Sequence, residues 1–277
     1  MQMGLSDKII LITGAASGIG LAIARAVLAE GVGGLILTDR DAPGLNRTGL
    51  NRTGLNSTGL NRTGLNRAGL NRAGLDALII TADLTDPATP QTLINAAKTR
   101  FGRIDGLVNA AGLTTRATLT SGTPEIWDEL FNVNAKAVYF LMQAAARDML
   151  SRNAPGSIVN ILSVNAHCGA PDLSIYSATK GAMATLTRNA ARAHMADRIR
   201  VNGINLGWVA TPAERHMQSV TLGRGPGWEA EESAKMPLGR LVQAEEAARL
   251  ATFLLGTASE PMSGTVIDFE QKVAGAL

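Results

Sequence analysis

Apolar residues in this chain fall in short unbroken runs: KIILIT at 8–13, GLILTD at 34–39, ALIITA at 77–82, DGLVNA at 105–110, SIVNIL at 157–162, IRVNGINL at 199–206 and TVIDF at 265–269. The runs are rich in β-branched residues and lack in/out alternation. Strands buried on both faces read this way. Between them lie helical patterns, such as GIGLAIARAVLAE at 18–30 and a stretch ending near Phe101. Strand followed by helix, repeated, predicts an α/β fold: a doubly wound, mostly parallel Rossmann-type sheet in three layers, one domain spanning residues 1–277.

One segment breaks this rhythm. Residues 44–75 repeat a five-residue unit, GLNRT with Ser and Ala variants. A leucine every fifth position advances about 140° per step on a helix, so no apolar face forms, and a glycine in each unit weakens helix further. In a strand the odd period sends successive leucines to opposite faces. The unit faintly resembles pentapeptide-repeat β-helices, but Gly precedes each central Leu where those proteins carry Asp or Asn. The reading is a surface insertion in an otherwise continuous domain. Asn46, Asn51, Asn56 and Asn61 each open an N-x-T sequon, and with no secretion signal none is expected to be glycosylated.

Composition narrows the function classes. With 277 residues and 45% hydrophobic content the chain can bury one large core. No apolar run reaches the roughly 18 residues a membrane helix needs, and the first residues lack the pattern of a signal peptide, so a cytoplasmic protein is expected. The single cysteine, Cys168, excludes an internal disulfide, and three histidines with no Cys/His spacing give no metal signature. A net charge of +3 would suggest nucleic acid, but five arginines of the repeat (47, 52, 62, 67 and 72) exceed that surplus by themselves. The rest of the chain is not basic, and no nucleic-acid partner is expected.

The first strand runs into Thr13-Gly14-Ala15-Ala16-Ser17-Gly18-Ile19-Gly20 and then a helical pattern. A tight turn, a close backbone approach to pyrophosphate and helix-on-sheet packing each call for glycine, and the free N–H groups of a helix start attract phosphate. The second strand ends at Asp39, about 20 residues on, where a carboxylate accepts from ribose hydroxyls and repels a 2′-phosphate. NAD is therefore expected over NADP, and Ser17 agrees. Arg40 beside Asp39 is the feature that softens this preference. Farther along, Tyr176 and Lys180 stand four apart, on one helical face. An ammonium there would bring the phenol, ordinarily near pKa 10, into catalytic range.

Together with the glycine motif, Asn109-Ala110-Ala111-Gly112, Asn134, Ser163 and Tyr176-Ser177-Ala178-Thr179-Lys180, in this order and spacing, resemble the short-chain dehydrogenase/reductase family over essentially the whole chain except the repeat. The resemblance implies that Tyr176 exchanges a proton with the substrate oxygen while the nicotinamide exchanges hydride. It implies that Ser163 hydrogen-bonds that oxygen, that Lys180 also holds the nicotinamide ribose, and that Asn134 anchors a water of the proton relay. It places Gly14, Ser17, Gly18, Ile19 and Gly20 at the phosphates, Asp83 and Leu84 beside the adenine, and Asn109, Ala110 and Gly112 beside the cofactor, Asn109 as a brace. Val209 and Thr211 would meet the carboxamide. Two stretches depart from the family pattern: Leu206-Gly207, where Pro-Gly is usual, and Asp268-Phe269-Glu270, where Asp-Gly-Gly is usual.

Residues 213–237 lie where relatives keep a substrate lid, and Asn165, His167, Trp208, Glu214 and His216 are candidate pocket residues. That polar set suits a sugar or polyol. The expected function is NAD-dependent interconversion of a secondary alcohol and its ketone. Within the same class the alternative is an NADPH-type ketone or 3-oxoacyl reductase, and from another class a catalytically silent nucleotide-binding regulator. Alanine-rich helices near 124–152 and 175–196 resemble family subunit contacts and imply a homotetramer or homodimer.

Overall fold

The structure, a computed structural model, describes residues 3–48, 50, 76–167 and 169–272. Seven strands form one parallel sheet: β1 (Ile9–Thr13), β2 (Gly34–Asp39), β3 (Asp76–Thr81), β4 (Gly106–Asn109), β5 (Gly156–Ser163), β6 (Ile199–Leu206) and, last in the chain, β9 (Val266–Phe269). A two-stranded ribbon of β7 (Val209–Ala210) and β8 (Val242–Gln243) lies apart. The sheet order is β3-β2-β1-β4-β5-β6-β9. The chain thus winds outward one way from β1, then returns and winds the other way from β4. Its reversal point, at the carboxyl ends of β1 and β4, is where an open α/β sheet leaves a crevice.

The predicted strands match the seven of the sheet to within a residue or two, because central parallel strands are buried on both faces. Every residue of β1, β4 and β6 is buried. Described helices are α1 (Gly18–Ala29), α2 (Ala42–Arg47), α3 (Thr89–Phe101), α4 (Pro124–Phe131), α5 (Ala137–Ser151), α6 (Ser174–His194), α7 (Pro212–His216), α8 (Trp228–Ala234) and α9 (Ala244–Leu255). One apolar layer joins β1, β2 and β6 to α1 and α9, through Ile10, Ile12, Ile23, Val27, Ala247 and Leu254. The other joins the opposite face to α3, α5 and α6, through Leu11, Leu93, Leu141, Met149 and Met183. These are the three layers expected.

The first repeat unit corrects one local expectation. Gly44 to Arg47 belong to α2, whose N-cap Asp41 accepts from the Gly44 N–H at 2.9 Å. The cap and Pro43 start a single turn of helix that the periodicity of the repeat does not encode. Thr48 and Leu50 of the repeat are described and buried; residues 49 and 51–75 lie outside the described residues, as does Cys168. Among the described residues no helix is long and apolar enough to cross a membrane.

Candidate active site

A cleft of about 800 Å³ opens at the carboxyl ends of the strands, within the usual range for small-molecule sites. Its floor is the glycine turn. Gly14 has φ +67°, and a Cβ there would stand 2.8 Å from the Ala111 nitrogen. A Cβ on Gly20 would stand 2.1 Å from the Gly14 carbonyl oxygen, so only glycine lets α1 begin against this turn. Ser17 caps α1 with no side-chain hydrogen bond, and the first turn has no acidic residue. Its N–H groups and helix dipole therefore meet the cleft uncompensated, which is the electrostatic setting for a phosphate.

Asp39 lies at the far end of the cleft with Arg40, Asp83 and Leu84. Its carboxylate accepts from the Ala16 N–H at 3.1 Å and the Asp41 N–H at 3.0 Å, one bond per oxygen, which fixes it against the glycine turn and leaves further lone pairs. Thr38 also lines the cleft, and its hydroxyl is buried without a hydrogen-bond partner among the described residues. Asp83 also closes a turn through the Thr85 N–H at 2.9 Å. That bond holds its carboxyl below the usual range, reinforced by the Thr85 hydroxyl and, more weakly, by Arg40, against a small effect of burial. Glycine cradle, open helix start and fixed carboxylate together fit a dinucleotide.

The reactive end is built by β5 and α6. Ser163 ends β5, where its Oγ accepts from the Asn165 backbone N–H at 3.2 Å and from Asn165 Nδ2 at 3.3 Å. Tyr176 sits in the first turn of α6 and Lys180 one turn later, its Nζ 5.7 Å from the Tyr176 ring centre. Lys180 Nζ donates to the Ile161 carbonyl at 2.9 Å. Burial pushes the phenol of Tyr176 above its ordinary value. The Ser163 hydrogen bond opposes that, Glu214 adds to it and Arg116 opposes it. Burial also brings Lys180 down to about 8. The expectation of a phenol lowered by its lysine is thus corrected in direction: desolvation is the largest influence on Tyr176, and the opposing influences come from Ser163 and Arg116. A protonated phenol beside a serine hydroxyl can hand a proton to a carbonyl oxygen, and as phenolate it can take one from an alcohol.

Asn134 stands in a π-helical turn, Asn132–Lys136, that joins α4 to α5. Such turns concentrate at functional sites. Its Oδ1 accepts from the Leu113 N–H at 2.8 Å, while Nδ2 donates to the Leu113 carbonyl at 2.9 Å and to Thr179 Oγ1 at 3.2 Å. The side chain therefore pins the loop after β4 to the helix bearing Tyr176.

The structure places Gly14, Ser17, Gly18, Ile19, Gly20, Asp39, Asp83, Leu84, Ala110, Gly112, Ser163, Asn165, Tyr176, Lys180, Trp208, Val209, Thr211 and Glu214 on the walls of one cleft. Four candidates stand off that lining, the first being Asn134, whose side chain is held by Leu113 and Thr179. Asn109 is buried inside the sheet, where its Nδ2 donates to Asn160 Oδ1 at 2.8 Å. His167 turns to Asp268, at 2.8 Å, and to Asn205, at 3.2 Å. His216 is exposed on α7, away from the lining. The 213–237 stretch is helical, tied by Arg215–Glu229 at 2.7 Å and Arg224–Glu232 at 2.7 Å. Among the cleft-lining residues that had not been singled out are Arg116, Asp172 and Gln218; Glu270, noted only as a departure from the family's glycine, lines it too. No spacing rule marks them, since they come from four separate segments. Only the loss of the usual glycine at 270 gave a signal.

Comparison with known proteins agrees with this geometry. The family model described as enoyl-(acyl carrier protein) reductase matches residues 14–270. Gluconate 5-dehydrogenase of Gluconobacter oxydans is 32% identical over 263 residues, 95% of this chain and 93% of that protein. The 3-oxoacyl-[acyl-carrier-protein] reductase of Thermotoga maritima is 31% identical over 270 residues, 97% and 98% of the two chains. L-Sorbose reductase from Gluconobacter frateurii, solved with NADPH and L-sorbose, superposes with a TM-score of 0.85 at 26% identity, covering all of both chains. The chain belongs to the short-chain dehydrogenase/reductase family. It is an NAD(P)-dependent oxidoreductase acting on CH–OH groups.

Proposed function

We propose that this enzyme interconverts a secondary alcohol of a sugar or polyol and the corresponding ketone, with NAD as the preferred dinucleotide. The observation that carries the reaction is the convergence of Ser163, Tyr176 and Lys180 at the end of the cleft opposite Asp39. When bound, the nicotinamide supplies the acceptor or donor of hydride. Tyr176 takes the hydroxyl proton as the carbinol C–H leaves as hydride, or returns it to the carbonyl oxygen in reduction. Ser163 holds that oxygen in place, and Lys180 sets the charge beside the phenol. Asn134 keeps the loop after β4 and α6 in register and anchors the relay water. Asp39 supports NAD, because a fixed carboxylate would face a 2′-phosphate, and Arg40 moderates that preference.

The substrate class is supported by the polar reactive end, with Asn165, Trp208 and Glu214 on its walls, and by likeness to a sorbose reductase. Reduction of 3-oxoacyl groups is the second reading, favoured by the Thermotoga relative. Initial rates with NAD and NADP across polyols, simple secondary alcohols and 3-oxoacyl thioesters distinguish them. The proposal expects the highest kcat/KM for a polyol with NAD. A thioester reduced faster with NADPH than any polyol is oxidised would replace it with the second reading.

A further inference from the structure

Glu270 occupies the position after β9 where the family pattern has glycine, and its side chain lines the cleft that holds Tyr176. One carboxylate oxygen accepts from the Trp208 N–H at 3.3 Å, and the other from the Gln271 N–H. The group is wedged into space left by Gly207, where a Cβ would stand 1.8 Å from Glu270 Oε2. These contacts orient the carboxylate without neutralising it. Asp172 is paired with Arg116 at 2.8 Å, and Glu214 lies 3.9 Å from the same guanidinium. Glu270, unlike Asp172, has no ion-pair partner among the described residues, and it brings a carboxylate held only by backbone N–H groups to the reactive end.

Trp208 stands between the two glutamates. Its Nε1 donates to Glu214 at 2.9 Å, its backbone N–H meets Glu270, and its ring stacks on Trp228 at 5.6 Å between centres. A fixed aromatic wall flanked by acceptor-only groups suits a chain of carbinol carbons, which offers C–H to the ring and O–H to the carboxylates. An acyl chain would desolvate Glu270 and return no hydrogen bond. A carboxylate on the substrate would be repelled.

We infer that Glu270, with Glu214, is a specificity-determining element that selects neutral polyhydroxylated substrates and turns away anionic ones. The inference rests on the dehydrogenase reading above and gives it a substrate charge. The test compares the wild type, Glu270→Gln and Glu270→Asp on a polyol, the aldonate of the same chain length and a simple secondary alcohol. The wild type is expected to favour the polyol over the aldonate. Loss of a charge-assisted hydrogen bond in Glu270→Gln should raise the polyol KM about tenfold and lower the aldonate KM. Glu270→Asp, which keeps the charge, should keep the wild-type order. Polyol and aldonate KM values that move together, or a wild type that prefers the aldonate, overturn the inference. So does a wild type that oxidises the secondary alcohol but not the polyol. A wild type that oxidises none of the three overturns the dehydrogenase reading as well.

Discussion

Lys180 shows how much the environment decides at the scale of one side chain. Its ammonium is buried, and burial lowers its pKa from 10.5 to about 8. Between those values the folded protein binds fewer protons than the unfolded chain, so this group's contribution to stability increases with pH. Below pH 8 the charged form is held at a cost. Lys180→Met should therefore raise stability at pH 7 by about 1–3 kcal/mol, less what is lost with the Ile161 hydrogen bond, and the gain should fade toward pH 10.5. Urea unfolding of both proteins at pH 7 and pH 10 checks this. A gain independent of pH would show that packing, not charge burial, is responsible. The lysine of the proposed site was legible from its spacing to Tyr176 together with the other family motifs, but the direction of the tyrosine shift was not. Spacing reports a neighbouring charge, whereas desolvation depends on Ser163, Leu173 and the other walls that fold around the ring.

At the scale of elements, buried strands announce themselves by composition, which is why the seven runs and the seven strands of the sheet agree. The joints between elements are less visible. Arg200, inside β6, sends its guanidinium to the carbonyls of Leu254, at 3.1 Å, Leu255, at 3.3 Å, and Gly256, at 2.8 Å, and to the Ser259 hydroxyl at 2.7 Å. It thereby caps the C-terminus of α9, where a helix presents unsatisfied carbonyls and the negative end of its dipole. Nothing in the run IRVNGINL distinguishes this arginine from a solvent-facing one. Its removal leaves several buried acceptors without a donor, so Arg200→Met should cost about 3–5 kcal/mol. A shift in the urea midpoint measures it, and a loss below about 1 kcal/mol would mean that water replaces the cap. The reactive-end residues Arg116, Asp172 and Gln218 were hidden for a related reason. The sheet order gathers them from distant segments, and no local period records that.

At the scale of the molecule, Trp127 on α4 and Tyr139 and Phe140 on α5 are large apolar side chains left 40–47% exposed, Trp127 stacked on Phe131 at 4.5 Å between centres. The proposed homotetramer or homodimer would cover them. Light scattering should find more than one chain per particle, and Tyr139→Lys with Phe140→Lys should reduce it to the monomer. A monomeric wild type would leave that face without the expected partner. Proton transfer by Tyr176 is coupled, in the proposed function, to hydride transfer in one cleft. Its most direct test is the rate of polyol oxidation by Tyr176→Phe, with NAD binding measured separately by titration. Binding within a few-fold of wild type and a kcat reduced by about 10²–10⁴ are predicted. Undiminished turnover by the phenylalanine variant would contradict the account.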